Sequence, residues 1–453
     1  MLPLHKKGDK LICSNYRGIN LLVTAYKILT SIIHDKMKPY AESIIGEYQA
    51  GFRKGRSTAD QLFTIRQIIE TFWEYDKYQI HLFIDFKQAY DSIHRQSMWC
   101  IMREMGIPAK LVRMTQACYK NTICSIRYGR KMSTPIEIKT GLKQGCILSP
   151  LLFNIMMEKV ARTITNSPEG IEFRDLTVNC LGYADDIDII TEDLQDTERL
   201  TNSFREAAEK IGLRINQEKT KVMEIARRYE MDGHVNIDGM EVEVVETFKY
   251  LGMTVARDGN IKEEINERIG AANRCLFSLI SLLKKRSISE RTKLRVYNTI
   301  IRPVLIYGCE TWSLTKKQEK RLEVFENKVL RIVTGPVYDQ GMQEWRRRHN
   351  WELRGRTKQP HISQIVKGRR IQWAGHMARM EEERMPRSVF LAQVDGRRPL
   401  GRPRKDWRRC LEEDIEKEGV NPRDWMTLAQ DRRMWNNLSR AVMGQQVAPR
   451  PME

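Results

Sequence analysis

The sequence lacks several features that would place a protein in a membrane or outside the cell. It has no run of about 18 apolar residues, the length that a helix needs to span a bilayer. Its first ten residues, MLPLHKKGDK, contain neither an apolar core nor a cleavage site, so they do not form a secretory signal. Its nine cysteines are scattered and include no Cys-x-x-Cys pair, which argues against a disulfide framework or a zinc site. These absences predict a reducing, intracellular compartment.

The sequence has an excess of positive charge. Its 77 Lys and Arg residues outnumber its 58 Asp and Glu residues, and the net charge is +19. Residues 341–410 alone hold 19 Lys/Arg and 7 Asp/Glu, a net of +12. This concentration indicates a dedicated segment for a polyanionic partner, either nucleic acid or an anionic membrane. A membrane is disfavoured, because no amphipathic pattern joins the basic excess to an apolar face.

The order of the predicted elements divides the chain. Its 453 residues have room for about three domains. Up to about residue 256, short apolar strands (81–85, 213–215, 222–225 and 248–255) alternate with helices (60–75, 97–121, 151–165 and 194–211), which is typical of an α+β domain. Beyond it, an apolar stripe from Ile261 to Leu283 and a helix with the capping box Thr315-x-x-Gln318 predict helical packing. The segment 341–453 is basic and carries tryptophan at intervals.

The segment Tyr183-Ala-Asp-Asp186 carries the strongest chemical signal. Apolar residues flank it on both sides, which predicts a strand, a two-residue turn and a second strand, with Asp185 and Asp186 at the hairpin tip. Taken alone, such a segment is more often an ordinary solvated turn. Adjacent carboxylates at an apolar tip repel each other, and a divalent cation would make the arrangement favourable.

A third carboxylate, Asp85, ends the apolar segment His81-Leu-Phe-Ile. Such a residue either caps a helix or binds a ligand, and capping is the more common role. If the strand before Asp85 and the Asp-Asp hairpin belong to one sheet, the carboxylates converge. Such a cluster requires cations, and two Mg²⁺ ions about 4 Å apart would hold an in-line phosphoryl transfer.

Seven ordered motifs in residues 5–256 resemble those of reverse transcriptases. Five are similar to palm motifs: Asp85-x-x-x-Ala-Tyr90-Asp91, Gly141-Leu-Lys-Gln-Gly-Cys-Ile-Leu-Ser-Pro150, Tyr183-Ala-Asp-Asp186, Gly212-Leu-Arg-Ile-Asn-Gln-Glu-Lys-Thr220 and Phe248-Lys-Tyr-Leu-Gly252. Two others, Asn15-Tyr-Arg-Gly-Ile-Asn-Leu-Leu22 and Gln49-Ala-Gly-Phe-Arg-Lys-Gly-Arg-Ser-Thr58, resemble the fingers motifs of the LINE-type, non-LTR retrotransposon branch. The region around Arg302-Pro-Val-Leu-Ile-Tyr-Gly-Cys-Glu-Thr-Trp312 is similar to the downstream part of such elements.

This resemblance implies a fold and an activity. The fold is α+β, a right-hand polymerase with partial fingers (1–80), a palm with an antiparallel sheet (81–256), a helical thumb (257–340) and a basic, mostly helical C-terminal region that binds nucleic acid (341–453). The activity is that of an RNA-directed DNA polymerase, in which a primer 3′-hydroxyl attacks the α-phosphorus of a dNTP. The implied partners are an RNA template, a DNA primer or target and dNTPs, and the implied location is nuclear and cytoplasmic, as a ribonucleoprotein.

The resemblance also implies roles for the residues around the hairpin. Asp85 and Asp185 would bind two Mg²⁺ ions, with Mn²⁺ as a substitute, and Asp186 would be a secondary ligand. The carbonyl of Phe86 would add one more oxygen. Tyr90 would exclude a 2′-hydroxyl by a clash with its ring, unless it only packs in the core. Lys219 would protonate the leaving pyrophosphate, unless it is an ordinary exposed lysine.

Further residues would contact the substrates. Gln144 and Gly145 would lie in a loop where glycine permits close approach to a nucleotide. Arg17 and Arg53 would contact the triphosphate or template through their guanidinium forks, and Lys6, Lys7 and Lys10 are weaker candidates. The primer grip would consist of Phe248, Leu251 and Gly252.

The segment Arg397-Arg-Pro-Leu-Gly-Arg-Pro-Arg-Lys405 resembles an AT-hook, which lies in the narrow minor groove of A·T-rich DNA. Its basic residues Arg397, Arg398, Arg402, Arg404 and Lys405 are the candidate contacts. Leu400 stands where such motifs carry arginine, and the alternative is a basic linker that binds phosphates. The Cys/His knuckle of many LINE-type proteins is not evident, and His349, His361 and His376 are interpreted as structural.

Two parts of the implied architecture are not evident in the sequence. No apurinic-type endonuclease pattern precedes the fingers motifs, and no RNase H pattern occurs. The chain is therefore interpreted either as an N-terminally truncated copy or as a gene model cut from a longer element, with endonuclease activity missing or supplied separately. The competing hypothesis is a catalytically silent remnant that only binds RNA or DNA.

Overall fold

A six-stranded mixed sheet with a core on each face organises the first 256 residues of the computed structural model, which describes residues 1–6, 8–401 and 404–444. The first elements are a two-stranded hairpin and two long helices: β1 (Leu2–His5), β2 (Tyr16–Ile19), α1 (Thr24–Ile44) and α2 (Thr58–Glu74). A short 3₁₀ turn, Cys13–Asn15, precedes β2. The helix α2 begins with a capping box in which Ser57 and Asp60 satisfy each other's backbone groups.

The next segment contains the central strand, small helices and short surface hairpins. Its elements are β3 (Gln79–Ile84), α3 (Ala89–Ser92), α4 (Arg95–Glu104), α5 (Ala109–Tyr119), β4 (Ile123–Cys124), β5 (Arg127–Tyr128), β6 (Lys131–Met132), β7 (Ile136–Glu137) and α6 (Leu148–Thr165). The helical pattern over 97–121 was expected to be one helix and is two. The break lies at Gly106-Ile107-Pro108, because Gly106 adopts a φ of +82° and the residue before a proline disfavours helical geometry.

The remaining strands complete the sheet and two further hairpins. They are β8 (Ile171–Phe173), β9 (Leu176–Val178), β10 (Cys180–Tyr183), β11 (Asp186–Thr191), β12 (Lys221–Ile225), β13 (His234–Ile237), β14 (Met240–Val244), β15 (Thr247–Tyr250) and β16 (Met253–Ala256), with α7 (Leu194–Lys210) after β11. The expected strand over 213–215 does not form, and only an isolated bridge joins Ile215 to Phe86.

The six-stranded sheet has the order β10-β11-β3-β12-β14-β13. The expectation of a wholly antiparallel sheet is wrong at one junction, since β12 and β14 pair in parallel. The reason is topological: the chain leaves β12 and returns as the hairpin β13–β14, whose second strand runs in the direction of β12. The other four junctions are antiparallel.

The strand β3 is buried along its whole length because both faces of the sheet are covered. Ile80, Leu82 and Ile84 pack into one core with α1, α4, α5, α6 and α7. Phe83 points to the opposite face, where it joins residues of α2, β15 and β16 in a second core. This alternation follows from the two-residue period of a strand.

Beyond residue 256 the described chain is mainly helical, as expected. The elements are α8 (Lys262–Lys284), α9 (Glu290–Val296), a π-helical turn (Tyr297–Ile301), α10 (Arg302–Leu305), a 3₁₀ turn (Cys309–Thr311) and α11 (Lys316–Thr334). The predicted capping box of Thr315 and Gln318 is present at the start of α11. Ile265, Leu276 and Leu283 of α8 pack against Leu322 and Phe325 of α11.

The C-terminal part packs against α2. Its elements are β17 (Val337–Asp339), β18 (Glu344–Arg346), α12 (Asn350–Thr357), α13 (Ile362–Ala378), α14 (Met385–Leu391), α15 (Trp407–Glu416), α16 (Trp425–Leu428) and α17 (Arg432–Val442). Four tryptophans, at 373, 407, 425 and 435, lie in one core with Phe63 of α2. Most of the tryptophan spacing therefore reflects core packing. No helix of the described residues is long and apolar enough to cross a membrane.

Candidate active site

Strand register brings the three predicted carboxylates to one edge of the central sheet. The hairpin of β10 and β11 pairs Tyr183 with Asp186, so Ala184 and Asp185 form the two-residue turn. In the neighbouring junction, Ile187 of β11 pairs with Ile84 of β3. Asp85 follows Ile84, so it lies beside Asp186 at the same end of the sheet.

The pKa values of Asp185 and Asp186 are both raised. Burial, then the charges of Asp185 and Asp85, raise the pKa of Asp186 to about 6, although its side chain retains access to solvent. The pKa of Asp185 is also raised, mainly by burial, with Arg17 acting in the opposite direction and Asp85 reinforcing the rise. The cluster is therefore electrostatically unfavourable when all three groups are ionised.

This donor set suits a hard divalent cation, because such ions prefer carboxylate oxygens. The side chains nevertheless do not converge on one point: in the described part of the chain no group of three or more His, Cys, Asp or Glu residues is arranged around a metal position. One reason is that Asp85 Oδ2 faces Lys219 Nζ at 3.3 Å and accepts a hydrogen bond from Asn216 Nδ2 at 3.2 Å. The residues fit a cation in chemistry.

The segment after α7 holds Asp85 in position. Asn216 N donates to Asp85 O at 2.7 Å, and Asp85 N donates to Thr220 Oγ1 at 3.3 Å. Asn216 and Thr220 belong to the motif that also supplies Lys219. The family resemblance assigns a role only to Lys219, although Asn216 and Thr220 of the same motif position Asp85.

Gln49 supports the Asp-Asp turn from the loop before α2 and was not predicted as a site residue. Its side chain accepts from Ala184 N at 2.7 Å and donates to Ala184 O at 3.2 Å, and Gln49 is fully buried. Gly51 lies so close that a Cβ there would meet Ala184 N at 2.3 Å. Both residues belong to the second fingers motif, but their contact with Ala184 depends on the tertiary fold.

Tyr90 lies beside the carboxylates with its ring fixed by stacking. The ring is parallel to that of Phe153 on α6, at a centroid separation of 4.6 Å and an angle of 9°. Its hydroxyl is buried and has no hydrogen-bond partner among the described residues. Burial, together with the nearby charge of Asp185, raises the pKa of the Tyr90 hydroxyl well above its ordinary value. The ring is thus rigid and its hydroxyl faces the acidic site.

The loop before α6 contacts both the site and the N-terminal hairpin. Gln144 Nε2 donates to the carboxylate of Asp91 at 3.1 Å, and Gln144 O accepts from Asn20 N at 2.9 Å. Gly145 adopts a φ of +105°, and a Cβ there would lie 2.9 Å from Asn20 O. A side chain at position 145 would collide with the Asn20 carbonyl, so this contact requires glycine.

The two predicted arginines have different environments. Arg17 on β2 is exposed, and its charge offsets part of the burial-driven rise in the pKa values of Asp91, Asp185 and Tyr90, which places it near the site. Arg53 is buried instead, and its contact with the triphosphate or template stays a prediction. Its buried guanidinium forms an ion pair with Glu42 at 3.0 Å and donates to Gly46 O at 2.7 Å and to Gln49 O at 3.1 Å. Its donors are used inside the protein, where they stabilise the loop that carries Gln49.

The three N-terminal lysines also differ in their position relative to the acidic site. The charge of Lys6 offsets a small part of the burial-driven rise in the pKa values of Asp91 and Asp185, so Lys6 lies near the acidic site. Lys10 is exposed, and Lys7 lies outside the described residues. The Phe86 carbonyl is not part of the bridge to Ile215, whose hydrogen bonds run from Lys87 N to Arg214 O and from Asn216 N to Asp85 O.

The predicted primer grip is a hairpin of β15 and β16 with Leu251 and Gly252 in the turn. Phe248 stacks on Phe83 of β3 at a centroid separation of 4.0 Å. The turn is attached to the helical region: Tyr307 Oη donates to Leu251 O at 2.9 Å, and Arg268 donates to Gly252 O.

The described residues of the AT-hook-like segment contact the rest of the protein, and their binding to nucleic acid stays a prediction. Arg398 forms an ion pair with Glu74 at 3.2 Å, Arg404 stacks over Trp73 and donates to Asp258 O at 2.7 Å, and Lys405 pairs with Glu413 at 2.8 Å. Arg397 is exposed, and Arg402 lies outside the described residues. The segment instead lines a cavity of about 530 Å³ against α2, because α2 offers acidic and aromatic groups at its C-terminal end.

The three histidines of the C-terminal part differ in exposure. His349 is exposed and stacks parallel to Trp351 with a centroid separation of 6.5 Å, and His361 is also exposed. His376 lies against Trp373, and burial lowers its pKa below the ordinary value.

Comparison with known proteins identifies the class. The family described as reverse transcriptase (RNA-dependent DNA polymerase) matches residues 4–255. The chain therefore belongs to the reverse transcriptase family.

The similar proteins come from mobile elements. Over 343 residues the chain is 25% identical to the probable RNA-directed DNA polymerase from transposon X-element of Drosophila melanogaster, covering 73% of this chain and 37% of that protein. It is 23% identical to the RNA-directed DNA polymerase from mobile element jockey of the same species, with coverages of 74% and 37%. The chain thus spans well under half the length of these relatives. Apo telomerase from Candida tropicalis shares 14% identity at a TM-score of 0.39, covering 68% of this chain and 54% of that one.

Replacement of Gln49 by alanine should destabilise the protein. The buried N–H and C=O of Ala184 would lose their partners, at a cost of about 2 kcal/mol or more in the free energy of unfolding. Urea unfolding measures the change. The control is Gln430→Ala, which removes an exposed side chain that donates to Ala378 O and should cost less than about 0.5 kcal/mol. Equal effects of the two substitutions would contradict the bracing role of Gln49.

Replacement of Asp186 by asparagine should stabilise the metal-free protein at high pH. Because the folded pKa of about 6 exceeds the ordinary value near 3.9, ionised Asp186 destabilises the fold above pH 6 and ceases to do so near pH 4. After solvent screening, the gain should be about 1 kcal/mol or less at pH 8, and absent at pH 4. Thermal unfolding in EDTA measures it.

Addition of Mg²⁺ at pH 8 should raise the melting temperature of the unmodified chain more than that of Asp186→Asn. If Asp186→Asn were no more stable than the unmodified chain at pH 8 in EDTA, the carboxylates would not repel each other as proposed.

Proposed function

We propose that this chain is an RNA-directed DNA polymerase of a LINE-type, non-LTR retrotransposon. The observation that carries the proposal is the register that places Asp85 beside Asp185 and Asp186, with Tyr90 and Lys219 next to them. Family membership and the mobile-element relatives support the same activity. The substrates are an RNA template, a DNA primer or target, and dNTPs.

We assign the parts of a right-hand polymerase as follows. The fingers are residues 1–80, although α2 and its preceding loop also support the Asp-Asp turn. The palm is 81–256, the helical thumb 257–340, and the basic C-terminal region 341–453. The attachment of the Leu251–Gly252 turn to Tyr307 and Arg268 supports a thumb that moves together with the primer grip.

Two divalent cations, Mg²⁺ or in its place Mn²⁺, would supply charge stabilisation and activate the attacking hydroxyl. Asp85 and Asp185 would hold them, with Asp186 as a secondary ligand and the carbonyl of Phe86 as a further oxygen. The Asn216 N–H donates to Asp85 O and the Asp85 N–H donates to Thr220 Oγ1, which fixes the backbone of Asp85, and Gln49 fixes the turn that carries Asp185. These residues position the carboxylates before substrate binds, which lowers the reorganisation required for catalysis.

The remaining site residues would handle the nucleotide. Arg17 would contact the triphosphate, since it is exposed beside the carboxylates. Lys219 Nζ, 3.3 Å from Asp85 Oδ2, would donate a proton to the leaving pyrophosphate. The ring of Tyr90 would block a 2′-hydroxyl, and Gln144 would hold Asp91 in place beneath it. Phe248, Leu251 and Gly252 would support the primer end.

The setting of this activity is also a proposal. A template RNA bound to its own polymerase would form a ribonucleoprotein in the cytoplasm and the nucleus. Endonuclease activity would come from another part of a longer protein or from another chain. The alternative of a silent remnant that only binds nucleic acid has no support from a damaged motif, and the next experiment separates the two.

Primer extension on poly(rA) with oligo(dT), dTTP and Mg²⁺ should give product, and Asp185→Asn should reduce the rate by more than about 100-fold. The reason is that an amide cannot replace the charge of a cation ligand. Binding of primed template should remain within about twofold. The control Asp175→Asn, an exposed turn residue, should extend normally. No extension by the unmodified chain, with template still bound, would contradict the polymerase proposal.

Replacement of Tyr90 by valine should admit ribonucleotides, because it removes the ring that Phe153 holds rigid. The preference for dTTP over UTP should fall by about 10-fold or more. Competitive primer extension measures the ratio. Tyr90→Phe should keep the preference, because the Tyr90 hydroxyl makes no hydrogen bond that the substitution would remove. Loss of selectivity in the phenylalanine variant would assign the discrimination to the hydroxyl and contradict the role of the ring.

A further inference from the structure

An exposed aromatic surface follows α11 at the start of the basic region. The hairpin of β17 and β18 pairs Tyr338 directly with Trp345, and their rings meet edge to face at 5.6 Å. Trp351, in the first turn of α12, stacks parallel to His349. We call these four residues the aromatic surface. Trp345 is 69% exposed and Trp351 is 74% exposed, whereas the other four tryptophans between residues 341 and 453 are buried.

The aromatic surface is rigid because Arg346 joins its two halves. Arg346 donates to Asp339 of β17 at 2.6 Å and, through two nitrogens, to Glu352 of α12 at 2.9 Å. Glu352 in turn accepts from His349 N at 2.6 Å. A guanidinium fork of this kind fixes the angle between the hairpin and the helix. This network of hydrogen bonds and ion pairs thus holds the exposed aromatic rings in place.

Charge complementarity indicates the ligand. Residues 341–410 carry a net charge of +12. Many of their guanidinium groups are used internally, as in the contacts of Arg346, Arg354 and Arg356 with acidic residues. Arg347 and Lys358, by contrast, are exposed and form no ion pair within the described residues. Arg347 follows β18 directly, and Lys358 ends α12. Open aromatic faces in a segment that also carries exposed cations are typical of single-stranded nucleic-acid sites, where bases stack and phosphates pair with the cations.

We propose that the aromatic surface binds single-stranded RNA, with unpaired bases stacked on Trp345 and Trp351 and phosphates beside Arg347 and Lys358. Double-stranded nucleic acid fits poorly, because its bases are already stacked on one another. The choice of RNA rests on the proposed function, in which the strand that reaches the enzyme unpaired is the RNA template. The surface would hold that template outside the active site.

The experiment measures binding of a fluorescent single-stranded RNA oligonucleotide by anisotropy, in EDTA and without dNTPs. Trp345→Ala and Trp351→Ala should each weaken binding by about 10-fold, and Trp345→Phe should retain it, because any aromatic face can stack. Trp345→Leu should bind as weakly as the alanine variant. A leucine variant with full affinity would overturn the proposal, since it would indicate simple apolar contact.

The matched control is Phe277→Ala, which removes an aromatic side chain of similar exposure (78%) from α8. Its affinity for RNA should stay within about twofold of the parent. An equal loss in the control and the tryptophan variants would overturn the assignment to the aromatic surface. Because all these side chains are exposed, melting temperatures should be unchanged, and Trp345→Phe remains informative if an alanine variant fails to fold.

Two further measurements test which class of ligand the aromatic surface binds. Arg347→Ala and Lys358→Ala should each reduce the salt dependence of RNA binding by about one phosphate contact. Fully paired RNA of the same sequence should bind the parent and the tryptophan variants equally. Tryptophan variants that lose only binding to single-stranded DNA, or only binding to anionic vesicles, would overturn the proposal. Since no dNTP or divalent cation is present, a failure of RNA binding is distinguishable from a failure of polymerisation.

Discussion

The antiparallel pairing of β3 with β11 is the constraint on which the site depends. It places Ile84 opposite Ile187, and therefore Asp85 beside Asp186. A slip of one residue would turn Ile80, Leu82 and Ile84 away from the core that they share with α6 and α7, so the apolar pattern of β3 defines the register. A buried pair reinforces it, since His81 Nδ1 on β3 lies 2.9 Å from Asp188 Oδ2 on β11 and both side chains are inaccessible.

The carboxylates at the end of these strands oppose folding, because burial and mutual charge raise the pKa values of Asp185 and Asp186. Contacts from segments far apart in the chain hold them together. Gln49 supports the turn at Ala184, and Asn216 and Thr220 hold the backbone of Asp85. Such a site stores electrostatic repulsion that cation binding would relieve. The same polar contacts that stabilise the fold therefore prepare the site for its ligands.

The basic C-terminal region shows that net charge and nucleic-acid contact are different properties. Arg370 is buried, where it forms an ion pair with Asp414 and donates to Trp312 O at 2.9 Å. Arg398 and Arg404 likewise hold their segment against α2. Much of the positive charge therefore attaches the C-terminal helices to the rest of the protein. The basic residues that remain available to bind a polyanion are those with exposed side chains, such as Arg347 and Lys358.

Local patterns were sufficient for a large part of the fold. The two-residue turn of the Asp-Asp hairpin, the capping box of Thr315 and Gln318, and the apolar face of α2 with Leu62, Ile65 and Phe72 are all as expected. The break at Gly106 and Pro108 and the parallel junction of β12 with β14 were missed. The helical period runs through Gly106 and Pro108, so periodicity alone predicts one continuous helix there. The parallel pairing of β12 with β14 depends on how the hairpin of β13 and β14 folds back onto the sheet, which no local pattern records.

The sequence by itself determined the family, the order of the motifs and the identity of the acidic residues, because these are local strings of side chains. Only the tertiary structure decided which of those side chains remain available. It buried Arg53 against Glu42, turned Arg398 and Arg404 onto α2, and brought Gln49 to Ala184. The physical reason is that ion pairs and buried hydrogen bonds form between residues distant in the chain, and no local period or propensity records their partners.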